Sequence, residues 1–458
     1  MFAPPQRKCR PAAFIYGTSE RAAIFTSLRS IGCIVASCEH VVKMKTNDLA
    51  THQQRVVRTL AVAQVFNGIG GAGVVAAGSL LAASISNSES LAGLAQTMTV
   101  LGAALMALPL AKLTQRGGRR RSLMSGYVIG IVGAVLAVVG GSTKSLVVVL
   151  AGSLLVGAAS ASGYQARFAA IDLATPEKRS RNLSFVVWGS TIGAVAGPNL
   201  MEPSGVLAQH FHLPRLVGPY LVIGCSLALS TILIFVFLRP DPYLRANLSP
   251  DGITQRTHES TKNSLRHIRT IPLALFAICA VGVGHLAMVS VMVMTPVHMA
   301  HVDVTLSVIG LVISVHVLGM YAFSPLVGIL SDKWGRVRVI QFGVVLFLLA
   351  VTVSAIAPAM DPVSLGFGLF LLGLGWSCTL IAGSTLLSES VSVEMRPSSQ
   401  GASDLVMNSM GALGGVMSGI ILGTLSYAWL CLFVGVLVGL LGLWSLVLST
   451  KRSIQKTT

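Results

Sequence analysis

Arg167 is the one Lys or Arg that lies well inside an apolar stretch of this 458-residue chain. A guanidinium stays charged across the physiological range, so in hydrocarbon it either reaches its head to the interface or faces a cavity or an acid. Both readings fit Arg167, which sits a few residues from the end of its segment. In the second, Arg167 lines a cavity with Tyr164 and Gln165 and holds an anionic or polar group, or pairs with an acid. A proton carrier needs a group whose charge changes during its cycle. Glu202, between Pro198 and Pro203 at the end of an apolar segment, is the first candidate, and His285 and His316 are the alternatives. The plainer reading of each is a polar side chain satisfied between helices. Gln64 and Asn67 share one helical face and offer amides to the same cavity, whereas Asp404 and Asn408, four apart, read as capping or interhelical residues. Trp188, Trp376, Met288 and Met292 suit a broad apolar pocket and are equally ordinary as packing. So little charge in the apolar segments argues against a strongly charged substrate such as a phosphate ester. The seven Cys show no metal-ligand spacing, and no glycine-rich nucleotide loop is present, so neither a metal site, ATP-driven work nor an enzyme is expected.

The elements that position these residues follow from composition. Hydrophobic residues make up 53% of the chain and charged residues 11%, with a mean hydropathy of +0.76. Apolar runs of about twenty residues, the length that crosses a bilayer as a helix, recur from residue 56 to residue 450. Twelve such runs predict an all-α polytopic membrane protein with 12 transmembrane helices. The net charge of +17 does not point to nucleic acid, because 21 of the 33 Lys and Arg fall in connections on one side and two on the other. A further nine lie at or before the start of the first run. That asymmetry predicts both termini and the loop 239–270 in the cytoplasm. Residues 1–55 read as a cytoplasmic extension, and a true start at Met44 accounts equally well for the composition of the first 43.

The chain is also a duplication. An offset of 217 residues superposes Gly118 on Gly335, Arg119 on Arg336, Asp172 on Glu389, Arg179 on Arg396 and Gly197 on Gly414 without a gap. Acid, base and glycine keeping register over three helices is far more specific than any single match. With an even number of runs in each copy, both enter the membrane the same way round. The expected organisation is two pseudo-symmetric six-helix bundles, 56–238 and 271–450, a cytoplasmic linker 239–270 and a tail 451–458.

The sharpest local signal is Gly328-Ile-Leu-Ser-Asp332-Lys-Trp-Gly335-Arg336-Val-Arg338, where glycine permits a tight turn, Asp332 offers a cap, and Arg336 lies within reach of Glu389. This segment resembles the loop signature of major facilitator superfamily transporters, and the resemblance extends over residues 56–450. It implies alternating access around a central cavity, with a conformational latch of Asp332, Arg336 and Glu389 in the second copy and Arg119 with Asp172 in the first. The first copy departs from the pattern, having Ala111 and Gln115 where the family has Gly and Asp, so its latch is expected to be the weaker. Gly193-Ala-Val-Ala-Gly197-Pro198 brings small residues and a Pro into one run, which suits close helix packing and a kink. It is similar to a fifth-helix signature of proton-linked exporters in that family. The resemblance therefore implies a monomer in a bacterial cytoplasmic membrane, without cofactor, drawing on a proton gradient. It would export a small, moderately hydrophobic compound, or alternatively import a metabolite with protons.

Overall fold

The computed structural model describes residues 49–70, 77–78, 80–86, 94–247, 266, 268–300 and 305–457. The expected extension over residues 1–48 and most of the linker 239–270 lie outside the described residues. From Gln53 onward the chain forms one unit.

Every regular element among the described residues is helical. Helix α1 covers residues 49–70, and residues 80–86 are again helical. There follow α2 (Leu94–Ser142), α3 (Leu146–Ala169), α4 (Arg179–Asn199), α5 (Met201–His210), α6 (Gly218–Phe237) and the short α7 (Pro242–Ala246). The second copy supplies α8 (Pro272–Ala300), α9 (Leu306–Tyr321), α10 (Ser324–Trp334), α11 (Arg336–Ile356), α12 (Pro362–Ser390), α13 (Arg396–Thr424) and α14 (Tyr427–Thr457). Among the described residues nine helices are long and apolar enough to cross a membrane, or ten if α4 and α5 form one bent span.

At 49 residues, α2 would run about 74 Å if straight, more than twice the roughly 30 Å hydrocarbon core. It does not run straight. Gly118 breaks it at φ 84°, a region open to glycine and costly for other residues, and its repeat equivalent Gly335 separates α10 from α11 at φ 94°. These two glycines turn the chain back at the basic face in each copy. Farther along α2, glycines 126, 133 and 140 press against the backbone of α3, while Val128, Val132, Val135 and Val139 are exposed as a stripe suited to lipid. Helix α12 is buried on every side from Trp376 to Ser388. It begins at Pro362 after Asp361, whose carboxylate accepts the amides of Val363 and Ser364; the bonds from Ser364 hold that carboxyl below its usual range.

The buried apolar residues form two main clusters. One draws on residues 56–238 alone, and the other on residues 268–441 together with Phe168, Ile171, Ala174, Leu183 and Val187 of the first copy. The end of α3, the start of α4 and the connection between them thus carry first-copy residues into the second cluster.

The glycine-and-proline run falls at the end of α4, where the chain breaks at Leu200 and turns by 60° into α5. Gly193 packs backbone to backbone against α1, and a Cβ there would lie 2.5 Å from the Cα of Gly68. Gly193→Leu is therefore expected to lower stability by about 1–3 kcal/mol through overpacking, read as a fall in melting temperature in detergent. Gly224→Ala, whose new methyl would meet only the Ala134 Cβ at 3.8 Å, is the control expected to leave it unchanged.

Candidate functional site

Two layers of contact join the copies, one at the basic face and one deeper. At the basic face, Arg119 follows the Gly118 turn and grips Asp172 with both prongs, Nε to Oδ2 at 2.8 Å and Nη2 to Oδ1 at 3.1 Å. Its Nη2 also donates to Oε1 of Gln400 in the second copy at 2.6 Å. The equivalent Arg336 grips Glu389 at 3.0 and 3.3 Å, reaches Asp332 at 2.9 Å, and crosses to the carbonyl of Pro176 in the first copy at 2.6 Å. The two arginines differ in depth. The Arg119 side chain is 1% exposed and Arg336 is 11% exposed, so the same pair works in a drier setting in the first copy.

Asp332 and Gln115, equivalent by the repeat, dock on equivalent places. Asp332 accepts the amides of Ser180 and Arg181 at 3.1 and 2.9 Å, where α4 begins and the helix dipole favours an anion. Gln115 reaches Ser398, the equivalent of Arg181, and donates to its hydroxyl at 2.7 Å and to the Glu394 carbonyl at 3.4 Å. The carboxylate thus collects two amides from the opposite copy, and the neutral amide collects a hydroxyl. Asp332→Asn is expected to loosen this face, raising the rate at which a cysteine placed at buried Ala174 reacts with a polar thiol reagent by about ten-fold, the equivalent of 1.4 kcal/mol.

The substitution of Ala111 also finds its reason here. A Cβ on Gly328 would collide with Ser184, and a Cβ on Gly401 would lie 2.5 Å from the Cβ of Ala111. The repeat places Ala111 on Gly328 and Ser184 on Gly401. Each contact between copies therefore keeps one glycine, and in the first the glycine sits on the opposite helix.

Deeper in, Arg167 near the end of α3 turns towards α13 and α12 of the second copy. Its Nη2 lies 2.5 Å from Oδ1 of Asp404, and its Nε donates to the Ser384 hydroxyl at 3.2 Å. Both charged side chains are within 3% of complete burial, so Arg167 does not extend to the surface. Ser384 is the repeat equivalent of Arg167, so this bond joins equivalent positions of the two copies. Tyr164 and Phe168 pack against the guanidinium at 5.8 and 4.7 Å from their ring centres. Among the described residues, no side chain or backbone group bonds the buried Asp404 Oδ2. Asn408 does not bond it, since its amide donates to the carbonyl of Asp404 at 2.7 Å.

An aromatic group adjoins this pair. Trp376 donates from Nε1 to His285 Nδ1 at 3.0 Å, and Tyr321 meets Trp376 edge to face at 5.6 Å. On the first-copy side, Gln64 donates to Ser190 at 3.1 Å, and Asn67 occupies the space left by Gly163, one turn before Arg167. Gln165 turns away, donating to the Ala107 carbonyl and accepting from Ser122. His316 is buried with Nδ1 at 2.7 Å from the Leu369 carbonyl, between α9 and α12. Glu202 is exposed at the start of α5 and paired with Arg215, on a different element from the Arg167 group. Thus Arg167, Tyr164 and His285 stand around the contact between copies, while the contacts of Gln64 and Asn67 lie within the first copy. Gln165, His316 and Glu202 make their contacts away from the Arg167–Asp404 bond.

Sequence reasoning missed Ser384 and Gln400, and read Asp404 as a capping or interhelical residue without its partner. For Ser384 a signal existed, since the offset names it as the position answering Arg167. Among the described residues no cluster of three or more His, Cys, Asp or Glu is arranged to hold a metal ion.

Comparison with known proteins adds a family and a fold. The family model described as Major Facilitator Superfamily matches residues 60–300 and 284–458. The chain is 34% identical over 376 residues to the uncharacterized MFS-type transporter YddS of Bacillus subtilis (strain 168), covering 82% of this chain and 86% of that protein. It is 26% identical over 364 residues to the riboflavin transporter RfnT of Brucella anthropi, covering 78% and 86%. A crystal structure of a bacterial homologue of the iron transporter ferroportin, in an outward-facing state, has the same fold. Its TM-score is 0.67 at 16% identity, over 87% of this chain and 99% of that one.

Proposed function

Because this chain belongs to the major facilitator superfamily, and is thus a multi-pass secondary active transporter working by alternating access rather than an enzyme, we propose that it couples proton entry to export of a small, moderately hydrophobic compound. It acts as a monomer of twelve spans in two six-helix bundles. The span count takes α2 as two crossings either side of Gly118, α4 with α5 as one bent crossing, and the helical residues up to 86 as the first. The basic face is cytoplasmic by the charge asymmetry, with both termini on that side, in a bacterial cytoplasmic membrane. The contacts of Arg119, Asp332 and Arg336 across the copies then belong to a conformation closed to the cytoplasm, and these residues with Asp172 and Glu389 are its latch.

The observation that carries the coupling is the buried bond between Arg167 of the first copy and Asp404 of the second. Opening towards the cytoplasm pulls α3 away from α13, and that bond must break. An unpaired carboxylate and guanidinium in a dry interior are costly, so the bond opposes opening while Asp404 is ionised. A proton on Asp404 removes the attraction. The titratable groups around Asp404 are Arg167 and Tyr164 on α3, His285 on α8 and Arg119 on α2. The proton gradient is the energy source, and no cofactor takes part. Export rather than import is favoured by the Gly193–Gly197–Pro198 run and the break that follows it.

A second reading, import with protons, draws on the likeness to a riboflavin transporter. Tyr164 against the Arg167 guanidinium and the Tyr321–Trp376 ring pair suit a flat heteroaromatic metabolite. Flux in proteoliposomes with an imposed pH gradient, across amphipathic dyes and flavins, tests both. Export predicts solute moving against the proton flow, import predicts solute moving with it, and solute movement that ignores the gradient would remove the coupling.

A further inference from the structure

At the basic face a pocket of about 470 Å³ opens between the break in α2 and the start of α7, apart from the Arg167 site. Arg116, Arg120, Arg121 and Arg239 line it, with Asp241 and Leu244. Its single carboxylate is already engaged. Asp241 Oδ1 caps α7 through the amides of Tyr243 and Leu244 at 3.0 and 3.2 Å, and Oδ2 takes the Arg120 amide at 2.7 Å. Among the described residues none of the four guanidiniums forms an ion pair.

Two of the arginines are held together against their own repulsion. Arg120 and Arg239 both donate from Nε to the Phe235 carbonyl, at 3.2 and 3.1 Å, and both lie over the Phe235 ring, at 4.6 and 4.8 Å from its centre. Holding each arginine by Nε and ring leaves its terminal nitrogens for another acceptor. Two adjacent planar forks match the oxygens of a phosphate, which would also relieve the repulsion. Below the pocket, Ile232, Phe235, Val236 and Phe237 are exposed along α6 as an apolar strip. An acyl chain can lie on that strip while its headgroup enters the pocket.

We propose that this pocket binds the phosphodiester of an anionic phospholipid in the leaflet it faces. The bound headgroup ties the start of α7 to the α2 turn, one residue from Arg119. The test titrates short-chain phosphatidylglycerol, short-chain phosphatidylcholine and inorganic phosphate into the full-length detergent-solubilised protein. The phosphatidylglycerol is expected to bind best, and roughly thirty-fold more weakly to Arg120→Gln/Arg239→Gln, from about 1 kcal/mol for each arginine near a membrane surface. Arg116→Gln/Arg121→Gln changes only exposed side chains and is expected to weaken binding in the same direction while leaving the melting temperature unchanged. Equal binding of phosphatidylglycerol to wild type and both variants would overturn the site. Inorganic phosphate binding as tightly as the lipid would overturn the lipid as its source.

Discussion

With Asp404 replaced by Asn, the reconstituted protein is expected to lose proton-driven transport while keeping exchange of solute down its own gradient. Asn preserves the shape of the side chain and removes both the charge and the titration. Arg167 is then left in a buried site without its counter-ion, which costs about 3–5 kcal/mol in the closed form. A bias of that size shifts a two-state equilibrium by about two to nearly four orders of magnitude, on the order of what separates a closed from an open population. Comparing gradient-driven flux with counterflow in the same vesicles separates the two effects. Arg167→Ala/Asp404→Ala is expected to be less damaging to stability than either single change, because it leaves no unpaired charge.

The second large effect is expected at Arg119. Arg119→Ala strands the Asp172 carboxylate in a setting where both side chains are within 2% of full burial, and it also removes the bond to Gln400. The cost is about 3–5 kcal/mol, read as a lower melting temperature and faster labelling at the basic face. Arg336→Ala, whose partner Glu389 is 24% exposed, is expected to cost about 1–2 kcal/mol. The departure of Gln115 from the family pattern implies that the first latch is the weaker. Burial reverses the order for the Arg–acid pair itself, and leaves Gln115 weaker only in its reach across to Ser398.

The pairs at the basic face were legible because they are local to the repeat. The offset aligns Arg119 with Arg336 and Asp172 with Glu389, and each arginine meets the acid 53 residues further on. Arg167 was legible as a problem, since a cation so deep in an apolar helix needs an explanation, but its partner was not. Asp404 lies 237 residues away in the other copy. Helical periodicity says nothing of how two bundles are rotated against each other, so Asp404 read only as a capping or interhelical residue, with no partner named. The same limit explains Gln165, which shares a helix with Arg167 but faces Ala107, and His316, whose apolar sequence neighbours gave no hint of the Leu369 carbonyl. Glu202 drew attention through its flanking prolines. What lies beside it in space is Arg215, across the short connection that follows α5.

The most direct test measures distance across the basic face as pH is lowered. Spin labels on exposed Lys178 and Lys333, in a background cleared of native cysteines, report whether the two copies separate there. In wild type a short distance at neutral pH should give way to a longer one on acidification, as Asp404 takes up a proton and releases Arg167. In Asp404→Asn the longer distance should be present at every pH. A wild-type distribution that ignores pH, or an Asp404→Asn protein that still responds to it, would contradict coupling through the Arg167–Asp404 bond.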